Sequence, residues 1–440
     1  MKIHFLGIGG IGVSALAQYY LAKGHEVSGS DLASSEITQA LEKLGAKIFI
    51  GQEDIKNISK NFDLVIYSPA VTVRRQTSNI LSYPEALGEL TKNHFTIAVS
   101  GTHGKSTTTA MVSLILIKAG FDPTVIIGTK LKEFGDSNFR AGKSKYLIIE
   151  ADEHMASFLN YWPKIIAITN IEADHLDYYK NLKNYMASFK KYISHLSDGG
   201  VLVANGDDKN IRKILGGRTS AKFGGGSTST YSLKQPEAKK LMKILKVPGE
   251  HNIYNALAAL TCARALKIPD KISFKALSEY KGAWRRFEIV QTKPFILISD
   301  YGHNPTKAMA GMKAAREKYP NKKIWCVYQP HQYQRTYYLF KDFVRVFRKA
   351  LRQAQGKRPI VDKLIITDIY DVAGREEKEI KNKISSEKLV KAIKKENVIY
   401  IPKDGILDYL KNNLEKGQVL IIMGAGDIYN LTKADFKIKN

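Results

Sequence analysis

At 440 residues the chain is too long for one typical core, and a length of about 150 residues per domain suggests three. Its 44% hydrophobic content suits a globular protein, and no apolar run reaches the ~18 residues a bilayer span needs, so no membrane insertion is expected. The net charge of +26 comes from lysines spread singly or in pairs from Lys2 to Lys439; with no basic run carrying interleaved aromatics, no nucleic-acid ligand is expected.

Met1 to Leu6 is apolar but breaks into glycines at once and has no cleavage site, so it does not read as a signal peptide. Cys262 and Cys326 lack metal or redox spacing and read as core thiols of a reducing compartment. A cytoplasmic protein is expected.

The first segment, 1–93, alternates strand and helix. Strands are expected at Lys2–Leu6, Glu26–Gly29, Lys47–Ile50 and Leu64–Tyr67, and helices at Ile11–Lys23, Ile37–Leu44 and Glu85–Thr91. Alternation of this kind builds right-handed βαβ units on a parallel sheet. Between the first strand and helix lies Gly7-Ile8-Gly9-Gly10-Ile11-Gly12, a G-x-G-x-x-G loop, with Asp31 further on. The spacing is that of a dinucleotide fingerprint, with an acid for a ribose hydroxyl. Physically it supports a nucleotide diphosphate on a helix N-terminus without requiring a nicotinamide. A tight turn without ligand is the plain alternative.

The second segment, 94–283, opens with the strand Phe95–Val99, followed by Ser100-Gly101-Thr102-His103-Gly104-Lys105-Ser106-Thr107 and a helix-like run from Ala110 to Ala119. Strict Walker spacing fails, since it would need glycine at Val99. The context is still that of a phosphate loop: glycines let successive N–H groups face an anion at a helix start, Lys105 can reach terminal phosphates, and the Ser106 hydroxyl can hold magnesium. Strands follow at Tyr146–Glu150, Lys164–Thr169 and Val201–Ala204, and helices at Leu182–Leu196 and Ile253–Leu266, with a surface turn at Gly224-Gly225-Gly226. Glu150-Ala151-Asp152-Glu153 and Thr169 to His175 end two of these strands, where open parallel sheets place ligands. Hard oxygens and one imidazole beside a phosphate loop suit magnesium better than zinc, while polar loops or helix caps are the alternative. Asn252, before an alanine-rich helix, reads first as an N-cap.

The third segment, 284–440, begins with Trp284-Arg285-Arg286-Phe287, two guanidiniums suited to phosphate unless salt-bridged. Buried parallel strands are expected at Phe295–Ser299, Lys323–Tyr328, Lys363–Asp368, Val398–Ile401 and Gln418–Met423, with an amphipathic helix over Phe340–Arg352. Asp300 to Pro305 and Gln329 to Arg335 again place polar groups at strand ends.

The ordered set GIGGIG with GSD, SYPEALGEL, SGTHGKSTTTAM, IEADE, TNIEADHLDYY, GEHNIYNALAA, WRRFE, DYGHNP, QPHQYQRT, DIYDVAGRE and GAGDIYNL covers nearly the whole chain. It resembles the Mur ligase family of ATP-dependent amide-forming enzymes of peptidoglycan synthesis, most nearly the member that joins L-alanine to UDP-N-acetylmuramate. The resemblance implies three consecutive α/β domains with mostly parallel sheets: a Rossmann-like first domain for the UDP-sugar (1–93), a P-loop ATPase-like central domain for ATP and magnesium (94–283), and a Rossmann-like C-terminal domain for the amino acid (284–440). It places Gly9, Gly10, Gly12, Asp31 and Ser68 at the UDP-sugar. Gly101, Thr102, His103, Gly104, Lys105, Ser106, Thr107, Asn252, Asn255, Arg286 and Asp300 fall to ATP. Ser106, Glu150 and His175 fall to Mg2+, and Tyr301, His303, His331 and Arg335 to the amino acid. Lys105, Glu150, His175 and Arg286 are the expected catalytic group, in a monomer or weak homodimer.

Two positions depart from the family pattern. ESDASF appears here as Glu153-His154-Met155-Ala156-Ser157-Phe158, and Gln332 stands where an arginine often follows His331. Some relatives carry a carbamylated lysine in the central domain; the surroundings of Lys190 match poorly, and no such role is assigned to it. A peptide-recycling ligase of the same family is the near alternative, and an NAD-dependent oxidoreductase, resting on the first glycine loop and Asp31, is the alternative from another class.

Overall fold

The computed structural model describes all residues except 52–60, 74–76, 217–225, 354–357, 372–377 and 437–440, and omits the side chains of Asp177 and Lys378. Gly224 and Gly225 of the expected turn, residues 372–376 of the DIYDVAGRE stretch, and Lys439 therefore lie outside the described residues. The chain forms two compact units, Met1–Lys246 with Asn252–Ala283, and Val247–His251 with Trp284–Asn440.

The first unit holds two sheets. In one, β1 (Lys2–Leu6), β2 (Glu26–Asp31), β3 (Lys47–Ile50), β4 (Leu64–Tyr67) and β5 (Ile80–Ser82) run parallel in the order β3-β2-β1-β4-β5. The order reverses between β1 and β4, which opens a crevice beyond their C-terminal ends. There, a Cβ on Gly7 would lie 2.9 Å from that of Ser68. Helix α1 (Ile11–Ala22) leaves this crevice, α2 (Glu36–Lys43) is capped by Ser35, and α3 (Tyr83–Lys92) starts on a capping box formed by Ser82 and Glu85.

The other sheet contains β6 (Phe95–Ser100), β7 (Thr124–Leu131), β8 (Ser137–Arg140), β9 (Tyr146–Glu150), β10 (Ile165–Ile168), β11 (Val201–Asn205) and β12 (Ser227–Tyr231), ordered β12-β11-β10-β6-β9-β7-β8. Only the β7–β8 pair is antiparallel. That hairpin was not expected from the sequence. It is held by tertiary contacts instead of strong local patterning: Asn138 donates to Ser14 Oγ at 2.9 Å, Gln18 to Asn138 Oδ1 at 2.8 Å, and Ser137 to Gln18 Oε1 at 2.9 Å. These bonds fasten β8 to α1, so the sheets carrying the two glycine loops are tied together.

Helix α4 (Lys105–Lys118) starts five residues before the run that announced it. The threonines that weaken helix propensity at 107–109 are buried, and the Thr109 hydroxyl returns to the Lys105 carbonyl at 2.9 Å. Helix α5 (Leu182–Ile193) presents Tyr185, Phe189 and Tyr192 to the core and leaves Lys190 exposed. Helix α6 (Glu250–Ala265) is longer at its start than expected, so Asn252 lies inside the helix and the N-cap reading is overturned.

In the second unit β13 (Glu288–Gln291), β14 (Ile296–Asp300), β15 (Ile324–Tyr328), β16 (Lys363–Ile366), β17 (Val398–Tyr400) and β18 (Val419–Met423) take the order β13-β14-β18-β15-β16-β17. The edge strand β13 is antiparallel and was not expected; the rest are parallel. Central β18 is buried along its length, as a strand covered on both faces must be. Helices α7 (Pro305–Lys318), α8 (Tyr333–Tyr338) and α9 (Phe340–Ala350) follow the first two long strands, and α9 buries Phe343, Phe347 and Ala350 along one stripe. Both cysteines are buried thiols. Among the described residues no helix is long and apolar enough to cross a membrane.

Candidate active site

The phosphate loop is shaped by its neighbours across the sheet. Gly101 has φ 129°, and a Cβ there would sit 2.1 Å from Thr169 Oγ1; Gly104 has φ 82°, and a Cβ there would sit 2.2 Å from Asn255 Oδ1. Only glycine fits either position. The loop is pinned by His103 N–H donating to Asn170 Oδ1 at 2.9 Å, by Thr169 Oγ1 donating to the His103 carbonyl at 2.5 Å, and by Thr102 Oγ1 on the Glu172 carbonyl at 3.1 Å. Gly104 caps α4 without a side-chain partner, so the first-turn amides face outward as an anion cradle. Thr107 is buried in that turn. Asn252 and Asn255 are also buried, and Asn255 Nδ2 donates to Asn252 Oδ1 at 3.2 Å.

Beyond the cradle lie the acids. Lys105 Nζ donates to Glu153 Oε1 and Oε2 at 2.9 and 2.7 Å and to the Gly101 carbonyl at 2.9 Å, with Asp152 Oδ1 at 3.6 Å. Burial opposes the ammonium charge, but Glu153, Asp152 and Glu150 outweigh it and raise the Lys105 pKa. Glu153 is 1% exposed. Burial pushes its carboxyl above the ordinary range while Lys105 pulls it back. The sequence offered Glu153 only as part of an acidic cluster, because its partnership with Lys105 joins two strand ends 48 residues apart. Tyr179, whose hydroxyl donates to the Glu153 carbonyl at 2.5 Å, was not singled out at all.

Ser106 Oγ donates to Glu150 Oε1 at 3.0 Å, and Glu150 Oε2 accepts from Gly128 N–H at 2.9 Å. A hydroxyl and a carboxylate side by side at a phosphate loop fit magnesium, which takes few protein oxygens and fills its octahedron with water and phosphate. His175, in the left-handed region at φ 52°, has Nε2 3.8 Å from Glu153 Oε1 and stacks edge-on with His154 at 4.7 Å. Among the described residues no group of three His, Cys, Asp or Glu side chains converges to hold a metal.

At the first glycine loop Asp31 Oδ2 accepts from Gly9 N–H at 2.8 Å, and a Cβ on Gly9 would lie 2.9 Å from that oxygen. Asp31 therefore braces the loop. The Gly10 cap of α1 likewise has no side-chain bond, which leaves a second uncapped helix start.

In the second unit the arginine pair separates into two roles. Arg285 is 8% exposed, donates to the Gly424 and Gly426 carbonyls at 2.6 and 3.0 Å, and lies against the rings of Trp284, Tyr301 and Tyr429. Arg286 is half-buried, with its guanidinium 4.6 Å from the centre of the Tyr301 ring. Asp300 commits one oxygen to Phe287 N–H at 2.9 Å and the other to Gly302 N–H at 2.8 Å, and burial raises its carboxyl pKa.

His303 Nδ1 lies 3.0 Å from the Tyr301 carbonyl and its Nε2 3.3 Å from Lys307 Nζ, which assigns the neutral tautomer with the proton on Nδ1. Burial, then Lys307, Arg335, His331 and Arg286, hold His303 well below its ordinary value. His331 Nδ1 receives Arg335 Nη1 at 3.1 Å, and its ring stacks on Tyr370. Three cations around two imidazoles make a site for an anion.

Two uncapped helix starts on linked parallel sheets, one with a lysine and a hydroxyl–carboxylate pair, define a nucleotide-handling α/β enzyme. The chain belongs to the Mur ligase family: residues 2–95 match the Mur ligase family catalytic domain, 99–263 the Mur ligase middle domain and 285–426 the Mur ligase glutamate ligase domain. It is 40% identical to the UDP-N-acetylmuramate–L-alanine ligase of Clostridium kluyveri, over 98% of this chain and 96% of that one. The crystal structure of UDP-N-acetylmuramate-alanine ligase from Thermotoga maritima superposes with a TM-score of 0.76 at 26% identity, covering 98% of this chain and 97% of the other. A murein peptide ligase from Psychrobacter arcticus shares the fold, with a TM-score of 0.70 at 21% identity over 100% and 99% of the two chains.

Proposed function

We propose that the protein joins L-alanine to the lactyl carboxylate of UDP-N-acetylmuramate, cleaving ATP to ADP and phosphate, a step in making peptidoglycan precursors. The observation that carries this reading is the arrangement at the start of α4, where an uncapped helix end, Lys105 and the Ser106–Glu150 pair face one place.

A carboxylate does not acylate an amine at neutral pH, because oxide cannot leave. A lactyl carboxylate oxygen takes the γ-phosphoryl group of ATP, and ADP departs. The alanine amine then attacks the acyl phosphate, loses a proton, and the tetrahedral species expels phosphate. Negative charge accumulates on the transferring phosphoryl group, so the chain's contribution is positioning and electrostatics. Lys105 and the α4 amides hold the phosphates, and Ser106, Glu150 and His175 would hold magnesium. Magnesium, when bound, neutralises the phosphate oxygens. Asn252 and Asn255 serve the adenine side, Asp300 the ribose and Arg286 the phosphates. Tyr301, His303, His331 and Arg335 form the amino-acid site, where Arg335 suits the alanine carboxylate. Gly9, Gly10, Gly12 and Ser68 take the UDP diphosphate, with Asp31 bracing their loop. Cytoplasmic location and a monomeric or weakly dimeric state complete the reading.

The peptide-recycling alternative has support only in the shared fold, and a dehydrogenase leaves the second loop and its acids without a purpose. Phosphate release measured with ATP, magnesium, UDP-N-acetylmuramate and glycine, alanine or serine tests the assignment. Release that requires both the sugar and alanine is expected. Release indifferent to the sugar, or none, would overturn it.

A further inference from the structure

Tyr83 stands at the first turn of α3, half-buried, with its phenol end turned toward α1. A Cβ on Gly12 would lie 2.9 Å from both Cζ and Oη of Tyr83, so the phenol covers the first glycine loop. Burial, and then the charge of Glu150 at the end of β9 and of Asp152 just beyond it, keep the phenol proton bound. The Tyr83 hydroxyl makes no hydrogen bond to any described residue. A tyrosine hydroxyl withdrawn from bulk water usually has a partner. One side chain thus bridges the loop assigned to the UDP diphosphate and the acids assigned to carboxylate activation. The capping box of Ser82 and Glu85, with Ser82 N–H donating to Glu85 Oε2 at 2.8 Å, fixes the turn that aims it.

Resting on the function proposed above, we infer that Tyr83 is a specificity-determining contact for the muramyl portion of the sugar nucleotide, donating its phenolic hydrogen to an acceptor oxygen between the diphosphate and the lactyl carboxylate. A substrate with its diphosphate at Gly9–Gly12 and its carboxylate near Glu150 would lie close to this hydroxyl. The same placement means that a side chain at position 12 would displace the phenol. The contact discriminates sugars by what they offer beyond the diphosphate.

Tyr83→Phe keeps the ring over Gly12 and deletes only the donor. Titration calorimetry without ATP would compare wild type and variant for UDP-N-acetylmuramate and for UDP. Loss of one hydrogen bond predicts about tenfold weaker binding of the sugar nucleotide and unchanged binding of UDP. The KM for UDP-N-acetylmuramate should rise by the same factor while the KM for ATP stays constant. Equal weakening toward both ligands would mean that Tyr83 only shapes the loop, and unchanged affinity for both would mean no contact; either result overturns the inference. A wild-type protein that binds no UDP-N-acetylmuramate overturns the proposed function and this inference with it, so the two failures are told apart by the wild-type titration. Gly12→Ala provides a second check: with the phenol displaced, it should weaken the sugar nucleotide, and Tyr83→Phe added to it should cost nothing further. An additional loss from Tyr83→Phe in that background would refute the shared contact.

Discussion

Lys105 is gripped by both carboxylate oxygens of Glu153, at 2.9 and 2.7 Å, in a place where the lysine is 13% exposed and the glutamate 1%. The residue assigned to the ATP phosphates is therefore paired with a buried protein carboxylate. Phosphate oxygens and the Glu153 carboxylate would compete for the same ammonium.

That competition has a measurable consequence. Glu153→Gln takes the nearest counter-charge from a buried ammonium and should lower stability by about 3 kcal/mol in denaturant titration without added nucleotide. ADP should then stabilise the variant more than it stabilises wild type, because the phosphates no longer compete with a carboxylate. Equal gains from ADP in the two proteins would show that phosphate and carboxylate do not compete for Lys105.

Lys105→Ala removes the phosphate contact itself. Turnover should fall by at least about 10²–10³-fold, the range seen when a preorganised charge-stabilising donor is lost, while UDP-N-acetylmuramate binding measured by calorimetry stays near wild type. Substantial residual turnover would refute the role given to Lys105.

The Ser106–Glu150 pair predicts how the enzyme depends on metal. Chelation should abolish phosphate release, and magnesium should restore it. In Glu150→Gln the half-saturating magnesium concentration should rise about tenfold or more, since one of few protein ligands loses its charge. An unaltered magnesium titration would separate Glu150 from the metal.

Two adjacent arginines should fail in different ways. Arg285→Ala strips charge-assisted bonds from two backbone carbonyls, one of them buried, and a cation from three rings, which should cost about 2–4 kcal/mol of stability. Arg286→Ala should unfold at nearly the wild-type denaturant concentration yet lose phosphate release. The reverse pattern would exchange their assignments.

His303 sets an acid limit on stability. Its folded pKa is depressed, so below the ordinary value of 6.5 the unfolded chain binds a proton that the folded chain refuses. Its contribution is present above pH 6.5 and is lost as pH falls, at no more than about 1.4 kcal/mol per pH unit. His303→Gln should flatten the denaturant midpoint between pH 6.5 and 5.5. A variant as acid-sensitive as wild type would assign the effect to another group.

Much of the site could be read from the chain because parallel strands buried on both faces are apolar runs, and their C-terminal ends are where polar residues become useful. Glu150 and Asp300 were expected at strand ends on this ground, and both do end strands. The edge strands β8 and β13 escaped it, since edge strands carry mixed polarity and draw their stability from neighbours such as Gln18 on α1. The early start of α4 escaped for the same reason: three buried threonines read as poor helix formers until their burial is known.

By itself the sequence determined the family, the three α/β segments and the two glycine loops, because these depend on local periodicity and on residue types that only certain backbone shapes accept. Which acid meets which partner was decided only in three dimensions. Asp31 turns to the amide of Gly9, Asp300 divides its oxygens between two amides, Glu153 takes Lys105, and Tyr83 comes to rest on Gly12. Apart from the local bond between Asp300 and Gly302, these pairings join groups from different turns or strands, and a carboxylate or phenol has enough possible partners that only the packed sheets select one.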